Sequence, residues 1–239
     1  MPYTYYYGFD WTYLWIVLPC LILSIWASAR VNSTFKRYSN HLSSRRITGA
    51  EAARQVLQQS GIYNVRIERT SGNLTDHFDP KANVIRLSDS VYSSTSTAAI
   101  GVAAHEAGHA VQYAQSYFPI RIRTAISPIT NIGSKLAVPL ILAGIIFSTF
   151  AEFSYVLVDI GIACFALSLV FQLITLPVEF NASRRAMAAI DKAELLTSDE
   201  RVGARKTLTA AAMTYLAAVV VSLAQLLRLI LLFGRRRRD

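Results

Sequence analysis

Residues His105-Glu106-Ala107-Gly108-His109 form an H-E-x-x-H pattern. On a helix, residues four apart lie one turn apart on the same face, so both imidazoles can reach one ion. Zinc suits such a pair: it takes neutral imidazoles and a third protein ligand, and in catalytic sites keeps one position open for water. Glu106 projects beside the histidines, placed to take a proton from that water as general base. The chain has four histidines, two of them in this pattern. A blander reading is a buried alanine-rich helix whose histidines only hydrogen-bond nearby groups. A glutamate inside an otherwise apolar stretch argues against it, because an unpaired buried carboxylate is costly and one beside a cation is not.

The elements that must hold these residues are legible on either side. Residues 98–115 lack proline and are rich in alanine, which predicts a helix with Ser96 or Thr97 as its N-cap. Upstream, Thr48-Gly49-Ala50-Glu51 has the pattern of a capping box, opening a helix with Ala52, Val56 and Leu57 on one face and Gly61 at its end. Val65–Arg69 alternates as a half-buried strand does, and residues 83–88 read as a second strand. The two are expected to pair as a hairpin around a loop containing Asp76-His77-Phe78-Asp79-Pro80. The free edge of Asn83, Val84, Ile85, Arg86, Leu87 and Ser88 would then receive an extended peptide substrate through main-chain hydrogen bonds. His77 and Asp79 can be turn formers, with Asp79 bonding the backbone near Pro80. Alternatively His77 stands over the site as a ligand or as a donor to an oxyanion.

Of 239 residues, 53% are hydrophobic and 16% charged, and the apolar ones cluster. Residues 11–29, 136–151, 153–176 and 207–233 predict four membrane spans, the second and third forming a hairpin that turns around Glu152. The first span lacks the basic start and cleavage site of a signal peptide and is read as retained. A net charge of +9 could suggest nucleic acid. Its distribution argues against that partner: thirteen Lys/Arg fall between Arg30 and Lys135 and six between Arg184 and Lys206. This positive-inside pattern puts residues 30–135 and 177–206 in the cytoplasm. The basic tail at 234–239, with Arg235–Arg238, would then lie outside, unless the last span does not fully cross or the tail rests on anionic lipid. Cys20 and Cys164 fall in spans, lack metal-ligand spacing, and are read as packing residues.

A third ligand is needed on the same side of the membrane. Glu179 is the candidate, because the transmembrane hairpin returns the chain to that side. Pro177 is expected to open a helix in which Glu179, Ser183 and Ala186 share a face. Glu179 could instead cap that helix or pair with Arg184.

H-E-x-x-H, a transmembrane hairpin, and then E-F-x-A followed by a polar residue resemble the membrane zinc endopeptidases of the HtpX and CAAX-protease type. DHFDP, VIRLSDSVY, STAAIGVAAHEAGHAVQ and LPVEFNASRRA together resemble the YugP-type neutral zinc metallopeptidases of bacterial membranes more closely, over most of the chain. The resemblance implies His105, His109 and Glu179 as Zn2+ ligands in a gluzincin-like arrangement, with Glu106 as general base. Ser183 stands where the HtpX pattern has Asp, leaving the support of the histidines unassigned. His77 and Arg184 are candidates for stabilising the transition state. The expectation is a mainly α, multi-pass membrane protein of about four transmembrane helices with a small α+β zincin-like catalytic domain. It would be a zinc metalloendopeptidase at the cytoplasmic face of the bacterial cell membrane. Its partners would be polypeptides, including misfolded or membrane proteins as the HtpX resemblance suggests, together with the lipid bilayer. The rival is a membrane scaffold or assembly factor with a structural or vestigial zinc site.

Overall fold

A computed structural model describes residues 11–149 and 153–233. The turn expected at Glu152 and the basic tail Arg235–Arg238 lie outside the described residues. The chain is mainly helical. A π-helical turn, Tyr13–Val17, leads into α1 (Leu18–Ser39), followed by α2 (Gly49–Gln59). Next come β1 (Arg66–Thr70), β2 (His77–Asp79), β3 (Val84–Ser88) and the short α3 (Asp89–Tyr92). The remaining helices are α4 (Thr97–Ala114), α5 (Phe118–Ile146), α6 (Ser154–Lys192) and α7 (Ser198–Phe233). Among the described residues, four helices are long and apolar enough to cross a membrane: Tyr13–Ser39, Phe118–Ile146, Ser154–Lys192 and Ser198–Phe233. At 1.5 Å per residue each exceeds the roughly 30 Å of a hydrocarbon core.

The chain divides into two compact units. One contains Ala27–Arg121 and Leu176–Thr214, and the other the described parts of Met1–Trp26, Ile122–Thr175 and Tyr215–Asp239.

In the first unit, α2 and α4 pack against each other. Thr48 caps α2 as expected: its side chain accepts from the Glu51 amide while Glu51 accepts from the Thr48 amide. Ser96 caps α4, its hydroxyl accepting from the Ala99 amide. The linker after α1 is tied to the start of α4: the Ser43 amide donates to Thr95 O and the Thr97 amide to His41 O. It is tied also to the α6–α7 turn, where Arg45 donates to Ala193 O and Glu194 O and Glu200 accepts from Ser44. The core gathers Val56 and Leu57 of α2, Ile85 and Leu87 of β3, Ile100, Ala103 and Ala107 of α4, and Ile190 of α6. Full burial of such a Val, Leu or Ile side chain stabilises by about 1.5–3 kcal/mol.

The sheet has three strands in the order β1-β3-β2. β1 runs parallel to β3, with Arg66 opposite Val84, and β2 runs antiparallel to it, with Phe78 opposite Ile85. Residues 65–69 and 83–88 therefore do not form a hairpin. The hairpin is β2–β3, and Asp79 shapes its turn by accepting from the Lys81 and Ala82 amides.

In the second unit, α5 approaches α6 closely. A Cβ on Gly144 would lie 2.6 Å from Ser154 O, and one on Gly161 2.8 Å from Ala137 O. Gln172 and Ser222 exchange hydrogen bonds of 2.8 and 3.0 Å between α6 and α7. Pro177 opens no new helix: α6 continues through it, as α5 does through Pro128 and Pro139. A proline removes one intrahelical donor, and helices of membrane proteins tolerate that loss where neighbouring groups compensate.

Candidate metal centre

The centre is built from one turn of α4 and one turn of α6. His105 and His109 stand on successive turns of α4, and Glu179 and Ser183 on successive turns of α6. Gly108 lets the helices meet: a Cβ there would lie 2.8 Å from Ala182 O. Glu179 is 2% exposed, and its Oε2 lies 3.2 Å from His105 Nε2 and 3.4 Å from His109 Nε2. The ligand atoms of the three residues all lie within 4.8 Å of one another.

Zinc fits this donor set. With Zn–N and Zn–O bonds of about 2.0–2.1 Å, neighbouring ligands on a tetrahedron are about 3.3–3.4 Å apart. The separations of 3.2 and 3.4 Å from Glu179 Oε2 lie close to that edge. Both Nδ1 atoms are engaged elsewhere, His105 Nδ1 at 3.1 Å from Ser183 Oγ and His109 Nδ1 at 3.0 Å from Gln112 Oε1. Both Nε2 atoms are left facing Glu179.

Electrostatics separate the two carboxylates. Burial disfavours ionisation of Glu179, but its close contacts with His105 and His109 outweigh burial and hold its carboxyl well below the ordinary range. Glu106 is 8% exposed. Burial pushes its pKa up to about 7; the Glu179 and Asp76 charges add to the rise, and His105 and His77 oppose it. A carboxylate poised near neutrality can both take and return a proton.

The structure brings His105, Glu106, His109, Glu179 and Ser183 together, and it places the remaining candidates differently. Asn83–Ser88 offers no free edge, because β3 is the central strand with β1 on one side and β2 on the other. Asn83 itself precedes the strand, with φ of 53°. The edge strand packed on α4 is β2. His77, on β2, is exposed and outside the three-residue cluster. Its Nδ1 donates to Thr75 O at 2.8 Å, so a neutral ring has no second N–H for an oxyanion. Arg184 is exposed, about 140° around α6 from Glu179 by helix geometry.

Three contributors escaped the sequence reading. Gln112 follows His109 by three residues, a spacing that puts it on the same face and could have flagged it. Asn181 bonds Gln112 from α6. Asp76 accepts from the amide and hydroxyl of Ser88, and burial raises its pKa against those bonds.

The family model described as "Putative neutral zinc metallopeptidase" matches residues 13–234. "Putative membrane protease YugP" of Bacillus subtilis (strain 168) is 43% identical over 227 residues, covering 95% of this chain and 99% of that protein. No solved structure matches the chain.

Proposed function

Because the chain belongs to the neutral zinc metallopeptidase family, a membrane protein with zinc as its cofactor, we propose that it is an endopeptidase of the gluzincin kind. His105, His109 and Glu179 hold the metal, and Glu106 is the general base. The observation that carries this reading is the convergence of the three ligand atoms, within 4.8 Å of one another, beside the buried carboxylate of Glu106. Zinc bound there supplies Lewis-acid polarisation of a peptide carbonyl and of a water. Glu106 takes the proton from the attacking water on its carboxylate and returns it to the leaving amine nitrogen. Glu179, ionised between the imidazoles, offsets the cation's charge, and Ser183 and Gln112 orient the rings. An extended polypeptide pairs with the outer edge of β2, the strand against α4. A scaffold with a purely structural ion has no use for a second buried carboxylate beside it.

The basic residues of the two long loops support a cytoplasmic position for the catalytic unit. Casein cleavage and metal content of wild type and Glu106→Gln test the chemistry. The variant is expected to keep its zinc and lose at least a hundredfold in rate, in line with general-base contributions of about 10²–10⁴. Equal zinc-dependent cleavage by both proteins would overturn the mechanism. Single cysteines near Thr75 and Arg235, in a background without Cys20 and Cys164, test topology. Labelling at Thr75 from outside intact cells would overturn the cytoplasmic placement.

A further inference from the structure

We propose that Gln112, backed by Asn181 and Arg185, is a positioning residue that fixes His109 as an Nε2 metal ligand. The inference rests on the metal-centre reading above and concerns how one of its ligands is prepared.

Gln112 is fully buried, with 0% exposure. Its Nε2 lies 2.8 Å from Val178 O and 2.9 Å from Asn181 Oδ1. A backbone carbonyl can only accept, so the amide nitrogen of Gln112 must be at that end. The Asn181 amide is oriented in the same way, because its Oδ1 lies 2.7 Å from Arg185 Nε, which can only donate. Gln112 Oε1 is thereby left facing His109 Nδ1 at 3.0 Å, and His109 must donate there. In a neutral ring the lone pair is then on Nε2, beside Glu179 Oε2 at 3.4 Å. Two lone-pair-bearing atoms at that distance repel unless a proton or a metal ion stands between them. The hydrogen bonds that hold α4 to α6 thus prepare a cation-binding pair.

The outer end of the network is anchored as well. Arg185 donates to Gln115 Oε1 at 2.5 Å, and its guanidinium lies 5.8 Å from the centre of the Tyr117 ring. His105 has no comparable lock. Its Nδ1 faces the Ser183 hydroxyl, which can donate or accept and so leaves the ring tautomer free. His109 is the ligand set in advance, and His105 the one that adjusts.

The test uses the full chain purified in detergent, stripped of metal, with zinc affinity measured by competition against a chromophoric chelator. Cobalt(II) absorption reports the coordination geometry. Gln112→Leu is expected to weaken zinc binding about 10- to 100-fold, the usual cost of losing a hydrogen-bond partner of a ligand. It should also alter the cobalt bands. Gln112→Glu keeps an acceptor for His109 but turns an oxygen toward Val178 O. It should hold zinc within about threefold of wild type, while the metal-free protein melts at a lower temperature. A merely structural Gln112 predicts instead that both variants lose zinc affinity alike. That result, or wild-type affinity in Gln112→Leu, would overturn the proposal. Should Gln112→Leu fail to fold, Arg185→Met carries the same test from the outer end: weaker zinc binding is expected, and unchanged binding overturns it. A wild-type chain that binds no zinc would refute the metal-centre reading itself, which is a distinguishable outcome.

Discussion

Gly108→Ala sets two opposing effects against each other at the metal centre. The new Cβ would lie 2.8 Å from Ala182 O and 3.4 Å from Ala182 C. Carbon–oxygen contacts usually settle at about 3.3–3.6 Å, so α6 must recede by about 0.5 Å or more. The colliding atom belongs to helix backbone and cannot rotate aside. Ala182 stands between Glu179 and Ser183, so the displacement reaches a ligand and the partner of another. In the other direction, alanine favours a helix over glycine by about 0.8–1 kcal/mol. Overpacking costs about 1–3 kcal/mol. The net effect on folding is therefore a loss of about 2 kcal/mol or less. Metal binding has no such compensation, because ligand distances tolerate only about ±0.2 Å. Zinc affinity should fall at least about tenfold, the lower bound for a disturbed ligand environment. Chelator competition reads the affinity and thermal denaturation in detergent reads the stability. Gly101→Ala is the control: its Cβ would meet the Ala204 side chain at 3.1 Å and Cα at 3.2 Å, so it presses on α7 and not on the ligand-bearing α6. It should leave zinc binding unchanged. Zinc affinity in Gly108→Ala within twofold of wild type would refute the reasoning.

Thr48→Ala should cost about 1 kcal/mol in urea or thermal unfolding, the usual value of an N-cap. Glu51 has a folded pKa lowered from 4.5, chiefly by the Thr48 amide. Its contribution is therefore present above the unfolded value and lost as pH falls through the folded one, so wild type and Glu51→Gln should converge in acid. Arg45→Ala removes hydrogen bonds of 3.0 and 2.7 Å to the carbonyls of Ala193 and Glu194 in the turn after α6. It should lower stability by about 1 kcal/mol without affecting zinc content, as differential scanning and metal analysis would show. Asp76→Asn removes one of the charges that raise Glu106. Glu106 then stays ionised to lower pH, and the acidic limb of the rate profile should move downward.

Local chemistry was legible where it acts within one turn of chain. The Thr48–Glu51 box, the Ser96 cap and the helix carrying His105 and His109 are all patterns of three or four residues. Glu179 was reachable because a hairpin must return the chain to its starting side. The sheet was harder to read. Two runs close in sequence suggested a hairpin, but β2 has only three residues, too few to show alternation, and it takes the antiparallel place beside β3. That leaves the expected edge, residues 83–88, paired on both sides. Pro177 misled for a related reason: its local preference to begin a helix yielded to the continuity of α6. The Gln112–Asn181–Arg185 network depends on two helices meeting, and no single stretch of sequence contains it.

The separation of the ligands along the chain has a consequence for synthesis. Glu179 follows His105 by 74 residues. At about 5–20 residues per second, a growing chain carries the H-E-x-x-H helix for roughly 4–15 s before Glu179 is made. The α5–α6 hairpin must be translated in that interval. On the proposed ligand set, a nascent chain therefore cannot bind its metal fully until both of the long helices that separate His105 from Glu179 have been started.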